Sequence, residues 1–342
     1  MKISIKQRKT LFLMSNVVGV GFGKKITEGK KTNRHCVAVL VTKKLPASQL
    51  SPKNLVPKKI NSMETDVVEV GVIRPLAPKK TFVPKTSEEH TSKRRPAIGG
   101  ISIGHEDITA GTFGCVVYKN NEKHILSNNH VLANSNEAAI GDPILQPGPY
   151  DGGTVQDQIA ILSEFVPISF GVESPICKIA NFILWLLNWL THLFKEDYTW
   201  KLEKQTGGVN YVDAALAKPL EQGLVEATIL EIGQPLGVAL ATVGMPVQKS
   251  GRTTGLTQGY IEYTDASVKV QYGLGKEALF EDQIVAGPIS QGGDSGSAVL
   301  TLNDELVGLL FAGSDEVTII NPIGRVFSAL DISLSPGGQP LP

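Results

Sequence analysis

The chain has 342 residues, 42% of them hydrophobic and 19% charged, which is enough apolar material for packed cores and excludes global disorder. Thirty-three basic residues balance 33 acidic ones, so nothing in the net charge points to nucleic acid or an acidic polymer as partner. Cys36, Cys115 and Cys177 show no metal-ligand spacing and make a poor disulfide framework.

In chain order, the basic N-terminus carries only a short apolar patch, Leu11-Phe12-Leu13-Met14. A secretory signal needs an apolar stretch of about 7–15 residues, so a cytoplasmic location is expected. Residues 17–23 and 36–41 read as buried strands, 45–50 as the start of a short helix broken at Ser51-Pro52, and 65–72 as a further strand. Together they predict a small α+β unit within residues 1–75. Glycines at 19, 21 and 23 suggest a phosphate loop, but no Lys-Ser or Lys-Thr follows and no helix pattern opens. They read as strand glycines. Residues 76–96, rich in Pro, Lys, Ser and Thr, read as a linker ending in Lys93-Arg94-Arg95-Pro96. That basic run reads as a solvated loop; Pro96 disfavours cleavage after Arg95.

From residue 99 short β-runs alternate with Gly, Asn and Asp: 114–118, 123–127, 212–217, 258–263, 267–272, 298–302 and 306–312. This predicts an all-β barrel or sandwich across residues 97–335. One insertion, about 174–200, breaks the pattern. Its 179–194 core is helical and apolar almost all round, with Trp185 and Trp189 on one face. It is shorter than a membrane span and carries Asn181, Asn188 and His192. The simplest expectation is a helix packed on the barrel; the alternatives are a membrane surface, a protein-partner surface or a flap.

Three segments carry chemistry. In Gly293-Asp294-Ser295-Gly296, small residues around a serine permit the tight turn that aims backbone N–H groups at an oxyanion. A serine also needs a base. His130 follows the β-run 125–127 into a turn, and Asp213 opens an apolar strand from which a carboxylate can orient an imidazole. The order His, Asp, Ser matches one convergent triad and excludes the Ser-Asp-His order of α/β-hydrolases. Asp151, Asp157 and Asp197 are competing acids, and His105 and His124 competing bases; His35 and His90 fall outside the barrel region.

These motifs, with Ser250-Gly251-Arg252-Thr253-Thr254-Gly255, resemble those of chymotrypsin-like serine proteases. The likeness is nearest to the bacterial alpha-lytic protease and streptogrisin type, and to bacterial members related to the plant narrow-leaf protein. It covers roughly the last two-thirds of the chain. It implies a double β-barrel in which His130 is general base and then acid, Asp213 holds its tautomer and Ser295 forms the acyl-enzyme. The N–H groups of Gly293 and Ser295 would form the oxyanion hole, and Arg252 would pair with Asp294 to support that loop. The substrate pocket would be built from Ile289, Phe311, Ala312 and Gly313. With no carboxylate there, the P1 residue is expected to be apolar or small. Where secreted relatives place cysteines, this chain has Val131, Gln248 and Gln258, which fits a reducing compartment.

The expected function is therefore a serine endopeptidase acting on protein or peptide substrates, with no metal and no cofactor. The alternatives are a catalytically latent scaffold docking through residues 179–194, and a non-proteolytic acyl hydrolase.

Overall fold

The computed structural model describes residues 3–27, 30–76, 88–170, 172–173, 178–192, 204–205, 208–273 and 276–338. Most of the predicted linker (77–87), Cys177 and Asp197 lie outside them.

The chain opens with helix α1 (Ile5–Phe12), whose Ser4 and Gln7 form a reciprocal capping box. Strands β1 (Val17–Thr27) and β2 (Lys30–Val41) pair antiparallel, and β3 (Lys59–Ile60) and β4 (Met63–Glu69) complete this region. Gly19, Gly21 and Gly23 all lie in β1, and a Cβ on Gly23 would overlap the Tyr263 ring. The strand reading of these glycines holds because close packing against a neighbouring strand needs them. Residues 70–73 lead from β4 into β5 (Arg74–Pro75), with Val70 and Ile73 buried, and the chain reappears at helix α2 (Glu88–Thr91).

The first barrel comprises β6 (Ala97–Gly99), β7 (Ser102–His105), β8 (Gly111–Thr112), β9 (Cys115–Lys119), β10 (Glu122–Ser127), helix α3 (Asn129–Leu132), β11 (Pro143–Leu145) and β12 (Gln158–Phe165). The chain then runs through β13 (Val172–Glu173), helix α4 (Lys178–His192), β14 (Lys204–Gln205), β15 (Val209–Asn210), β16 (Ala215–Pro219), β17 (Val225–Ile229) and β18 (Gly237–Val238), with β16 returning to the first barrel. The first sheet runs β8-β7-β11-β12-β16-β10-β9. The second barrel uses β19 (Pro246–Gly251), β20 (Gly255–Gln271), β21 (Glu277–Ala286), β22 (Ala298–Thr301), β23 (Glu305–Gly313) and β24 (Thr318–Pro322). Its order β21-β24-β23-β22-β19-β20 closes through an additional β20–β21 pairing. Helix α5 (Ile323–Leu330) seals the joint between the barrels, burying Ile323, Val326, Phe327 and Leu330 with Leu126 and Leu216 of the first barrel and Leu300 and Leu309 of the second. The all-β double barrel expected from the sequence is thus what the chain forms.

Three local expectations differ. The N-terminal unit has its own apolar cluster, including Leu11, Val20, Val37 and Val39, but not its own sheet. The predicted strands 258–263 and 267–272 are one long strand, β20. Its outer part extends beyond β19, and β1 pairs along it (Gly19↔Val268, Gly23↔Tyr263). The sheet then continues β20-β1-β2-β4-β3. The basic run 93–96 is solvent-exposed at Lys93, Arg94 and Pro96, as expected, although Lys93 pairs with Asp157 at 2.7 Å and the half-buried Arg95 guanidinium donates to Gln146 and to the Asp157 carbonyl. Finally, the described apolar side chains of α4 are not buried. Phe182, Trp185 and Trp189 are 62%, 60% and 52% exposed. Among the described residues no helix is long and apolar enough to cross a membrane.

Candidate active site

Strand β10 ends at Ser127, and the single turn of α3 carries His130 into the cleft. Its Nδ1 lies 2.7 Å from Oδ2 of Asp213, and its backbone N–H donates to Oδ1 at 3.2 Å. The Asp213 carboxylate is fully buried. A buried carboxylate needs donors all round, and a third is the hydroxyl of Tyr272, 2.7 Å from Oδ2. Burial, reinforced by the Asp213 charge, pushes the Tyr272 phenol well above its ordinary value. The Asp213 backbone is gripped by side chains: its N–H donates to Asn321 and its carbonyl accepts from Asn128. This explains why the strand predicted from residue 212 begins only at Ala215.

Nδ1–H donated to Asp213 leaves the lone pair on Nε2. Nε2 is buried and has no hydrogen-bond partner among the described residues. The hydroxyl of Ser295 is engaged elsewhere: Oγ donates to the Phe311 carbonyl (3.2 Å) and accepts the N–H of Leu76 (3.1 Å). Thus His130 and Asp213 are brought together, while no hydrogen bond joins Ser295 to His130.

Gly293 has φ +101°, a conformation that side chains rarely adopt, and a Cβ there would overlap Thr253 Oγ1. Its N–H donates to the Leu76 carbonyl at 2.6 Å. Thr112 of β8 ties this loop to the first barrel, donating from its hydroxyl to the Gly293 carbonyl (2.9 Å) and from its N–H to the Ser295 carbonyl (2.7 Å).

The expected Arg252–Asp294 pair is not formed. Arg252 makes a two-pronged pair with Asp151, with Nε 2.8 Å from Oδ2, and stacks on Tyr150. Asp294 has other partners: the N–H groups of Thr253, Thr254 and Gln291, the Thr254 hydroxyl, and the ammonium of Lys249 at 3.4 Å. With its oxygens so occupied, the fork-shaped guanidinium goes to the free carboxylate of Asp151. Lys249 and Asp294 are both fully buried. Burial lowers the Lys249 pKa, and Asp294 opposes that shift.

Of the competing groups, Asp151 serves Arg252 and Asp157 serves Lys93. His105 bonds Asp142, and His124 bonds the Glu122 carbonyl. Ile289, Phe311 and Ala312 are buried. β5 lies antiparallel on the end of β23, on the edge left open where its pairing with β22 stops, with Pro75 opposite Ala312 and Arg74 opposite Gly313. The Leu76 side chain enters the apolar cluster that includes Ile289, and a Cβ on Gly313 would meet its Cδ1 at 3.5 Å.

Sequence reasoning missed Tyr272, Lys249, Thr112 and Leu76. A lysine in a strand-like run and a tyrosine at a strand end give no local signal of burial. Leu76 was legible only as an apolar residue at the start of a polar linker.

No protein family matches the chain in sequence, and no curated protein does. Several solved structures are similar to the chain. They include a glutamic-acid-specific serine protease that uses a histidine triad in substrate binding (17% identity, TM-score 0.44, covering 69% of this chain and 99% of that one). Thermobifida fusca protease A is similar too (15%, 0.43, covering 70% and 98%), as is an alpha-lytic protease homologue (14%, 0.42, covering 70% and 98%).

Proposed function

We propose that the protein is a serine endopeptidase that hydrolyses peptide bonds through His130, Asp213 and Ser295. One observation carries this reading: residue Leu76 lies across the site, its N–H donating to Ser295 Oγ at 3.1 Å and its carbonyl accepting from the Gly293 N–H at 2.6 Å. An acyl-transfer site needs a carbonyl within reach of both a nucleophile and an oxyanion donor.

In this mechanism Asp213 fixes the His130 tautomer, so that Nε2 can take a proton. Rotation about the Cα–Cβ bond of Ser295 turns its hydroxyl from the Phe311 carbonyl to Nε2. Oγ then attacks the substrate carbonyl carbon as its proton passes to Nε2. The developing oxyanion is held by the Gly293 N–H, joined by that of Ser295 as the tetrahedral centre forms. The tetrahedral adduct collapses, His130 returns the proton to the leaving amine, and water repeats the sequence on the ester. Asp294, anchored by Lys249 and the Thr253–Thr254 turn, keeps the loop in shape. Ile289, Phe311, Ala312 and Gly313 line an apolar P1 pocket without a carboxylate, suited to an apolar or small residue. No metal or cofactor takes part.

Cytoplasmic location belongs to the same reading. Cys36 and Cys115 are buried free thiols, and burial pushes the Cys115 thiol up to about 12, which keeps it unreactive. Residues 179–194 stand in the proposal as the surface for a protein partner or a membrane, with Trp185 and Trp189 outward.

A second reading, a latent protease-fold module, is favoured by the Ser295 hydroxyl lying on Phe311 rather than His130. A fluorophosphonate probe separates the two. The enzyme reading expects labelling that disappears in Ser295→Ala, and cleavage of casein or a peptide library rather than esters alone. A folded protein that never labels, even with the segment at Leu76 altered, sinks it.

A further inference from the structure

The open edge of β23 and the cleft beside Ser295 are occupied by the protein's own chain. Residues 70–73 come off β4 with Val70 and Ile73 buried, the Val70 carbonyl accepting from Ser314 and the Ile73 carbonyl from the N–H of Gln271. The next three residues are laid out as a bound peptide. Arg74 and Pro75 pair antiparallel with Gly313 and Ala312. The Leu76 side chain is 9% exposed, beside Gly313 and in the apolar cluster of Ile289. Its N–H meets Ser295 Oγ at 3.1 Å and its carbonyl oxygen takes the Gly293 N–H at 2.6 Å. An arbitrary strap across a cleft need satisfy none of these conditions. Here the strand edge, the side-chain pocket, the nucleophile and the oxyanion donor are all met, in register, by consecutive residues.

The geometry points to a modification site: the protein is its own substrate and cuts itself on the carboxyl side of Leu76, with Leu76 in P1, Pro75 in P2 and Arg74 in P3. This rests on the endopeptidase reading and deepens it by naming a first substrate and a leucine-type preference. The step balances without any co-reactant other than water. Ser295 Oγ bonds to the Leu76 carbonyl carbon and gives its proton to His130 Nε2. The C–N bond after Leu76 breaks, and the His130 proton goes to the departing amine. Water then attacks the ester, its proton passing to His130 and on to Ser295 Oγ, leaving a Leu76 carboxylate. Because the substrate is tethered in place, the cut is intramolecular, and its rate does not depend on protein concentration.

The test follows intact mass over time in the full chain, at two protein concentrations tenfold apart. The wild type, Ser295→Ala and Leu76→Asp are compared, with circular dichroism to confirm folding. Each is also treated with a fluorophosphonate and with the peptides Arg-Pro-Leu-p-nitroanilide and Arg-Pro-Asp-p-nitroanilide. The expected result is a wild-type fragment ending at Leu76, formed at the same first-order rate at both concentrations. Ser295→Ala stays whole. Leu76→Asp is cut at this bond at least 100-fold more slowly, and the Leu peptide is cleaved in preference to the Asp peptide whether or not that variant folds. A wild type that labels and cleaves the Leu peptide yet stays whole at Leu76, or cuts elsewhere, overturns self-cleavage and leaves the endopeptidase reading standing. So does a whole, unreactive wild type whose Leu76→Asp variant labels, since the segment would then be a plug. If neither labels nor cleaves, the endopeptidase reading falls and self-cleavage with it.

Discussion

The two barrels contribute to the site in different ways. The first supplies His130 and Asp213, whose positions depend on side chains reaching across the joint: Tyr272 and Asn321 of the second barrel bond Asp213. The second supplies Ser295, Gly293 and the end of β23 from backbone held mainly by its own strands and the Lys249–Asp294 pair, with Thr112 of the first barrel as one cross-tie. In the proposed mechanism the proton-handling half is thus assembled across an interface, whereas the peptide-holding half is built mainly into one closed sheet. Damage to the former should change rate, and damage to the latter should change stability as well.

The largest test of that contrast is Asp213→Asn. With the histidine tautomer no longer enforced, kcat on a leucyl p-nitroanilide peptide should fall about 10⁴-fold, with the thermal midpoint little changed. A loss below tenfold would mean that Asp213 is not the orienting acid. Next is Lys249→Met, which strands the fully buried Asp294 carboxylate. By urea unfolding it should cost about 3–5 kcal/mol, clearly more than Arg252→Met, whose partner Asp151 lies nearer solvent. Equal costs would show that Lys249 does not support the loop.

The smallest effect is expected from Tyr272→Phe. Removing one hydrogen bond to a charged acceptor, worth about 1.5–3 kcal/mol, should lower kcat by roughly tenfold or somewhat more. Its pH signature is separate. The Tyr272 phenol is raised well above 10.0 in the fold, so above that pH the unfolded chain releases a proton that the folded chain keeps. Stability is then present below the unfolded value and is lost as pH rises, at up to about 1.4 kcal/mol per pH unit. Tyr272→Phe should flatten that alkaline slope; an unchanged slope would remove Tyr272 from the account.

The sequence revealed the parts of the site that are local. A serine among glycines, a histidine after a β-run and an aspartate before an apolar strand are each readable within about ten residues. The loop 250–255 was readable as a motif, but not its partner. Arg252 and Lys249 lie three residues apart, and which cation reaches Asp294 depends on the inward face of β19 and on Asp151, a hundred positions away. The apolar helix was expected to pack, because apolar residues usually do; α4 leaves Trp185 and Trp189 outward instead. The N-terminal strands were legible, but their attachment to β20 was not. Pairing across 250 positions is set by an open sheet edge that no local pattern reveals.

That attachment has a consequence for how the molecule would behave once cut. A chain severed after Leu76 would still be held by the β1–β20 ladder and by Arg8, whose guanidinium reaches Ser267 and Asp265. The two pieces would migrate apart under denaturing electrophoresis yet travel together in native buffer. Melting would then become a bimolecular dissociation, with a midpoint that climbs as the sample is concentrated.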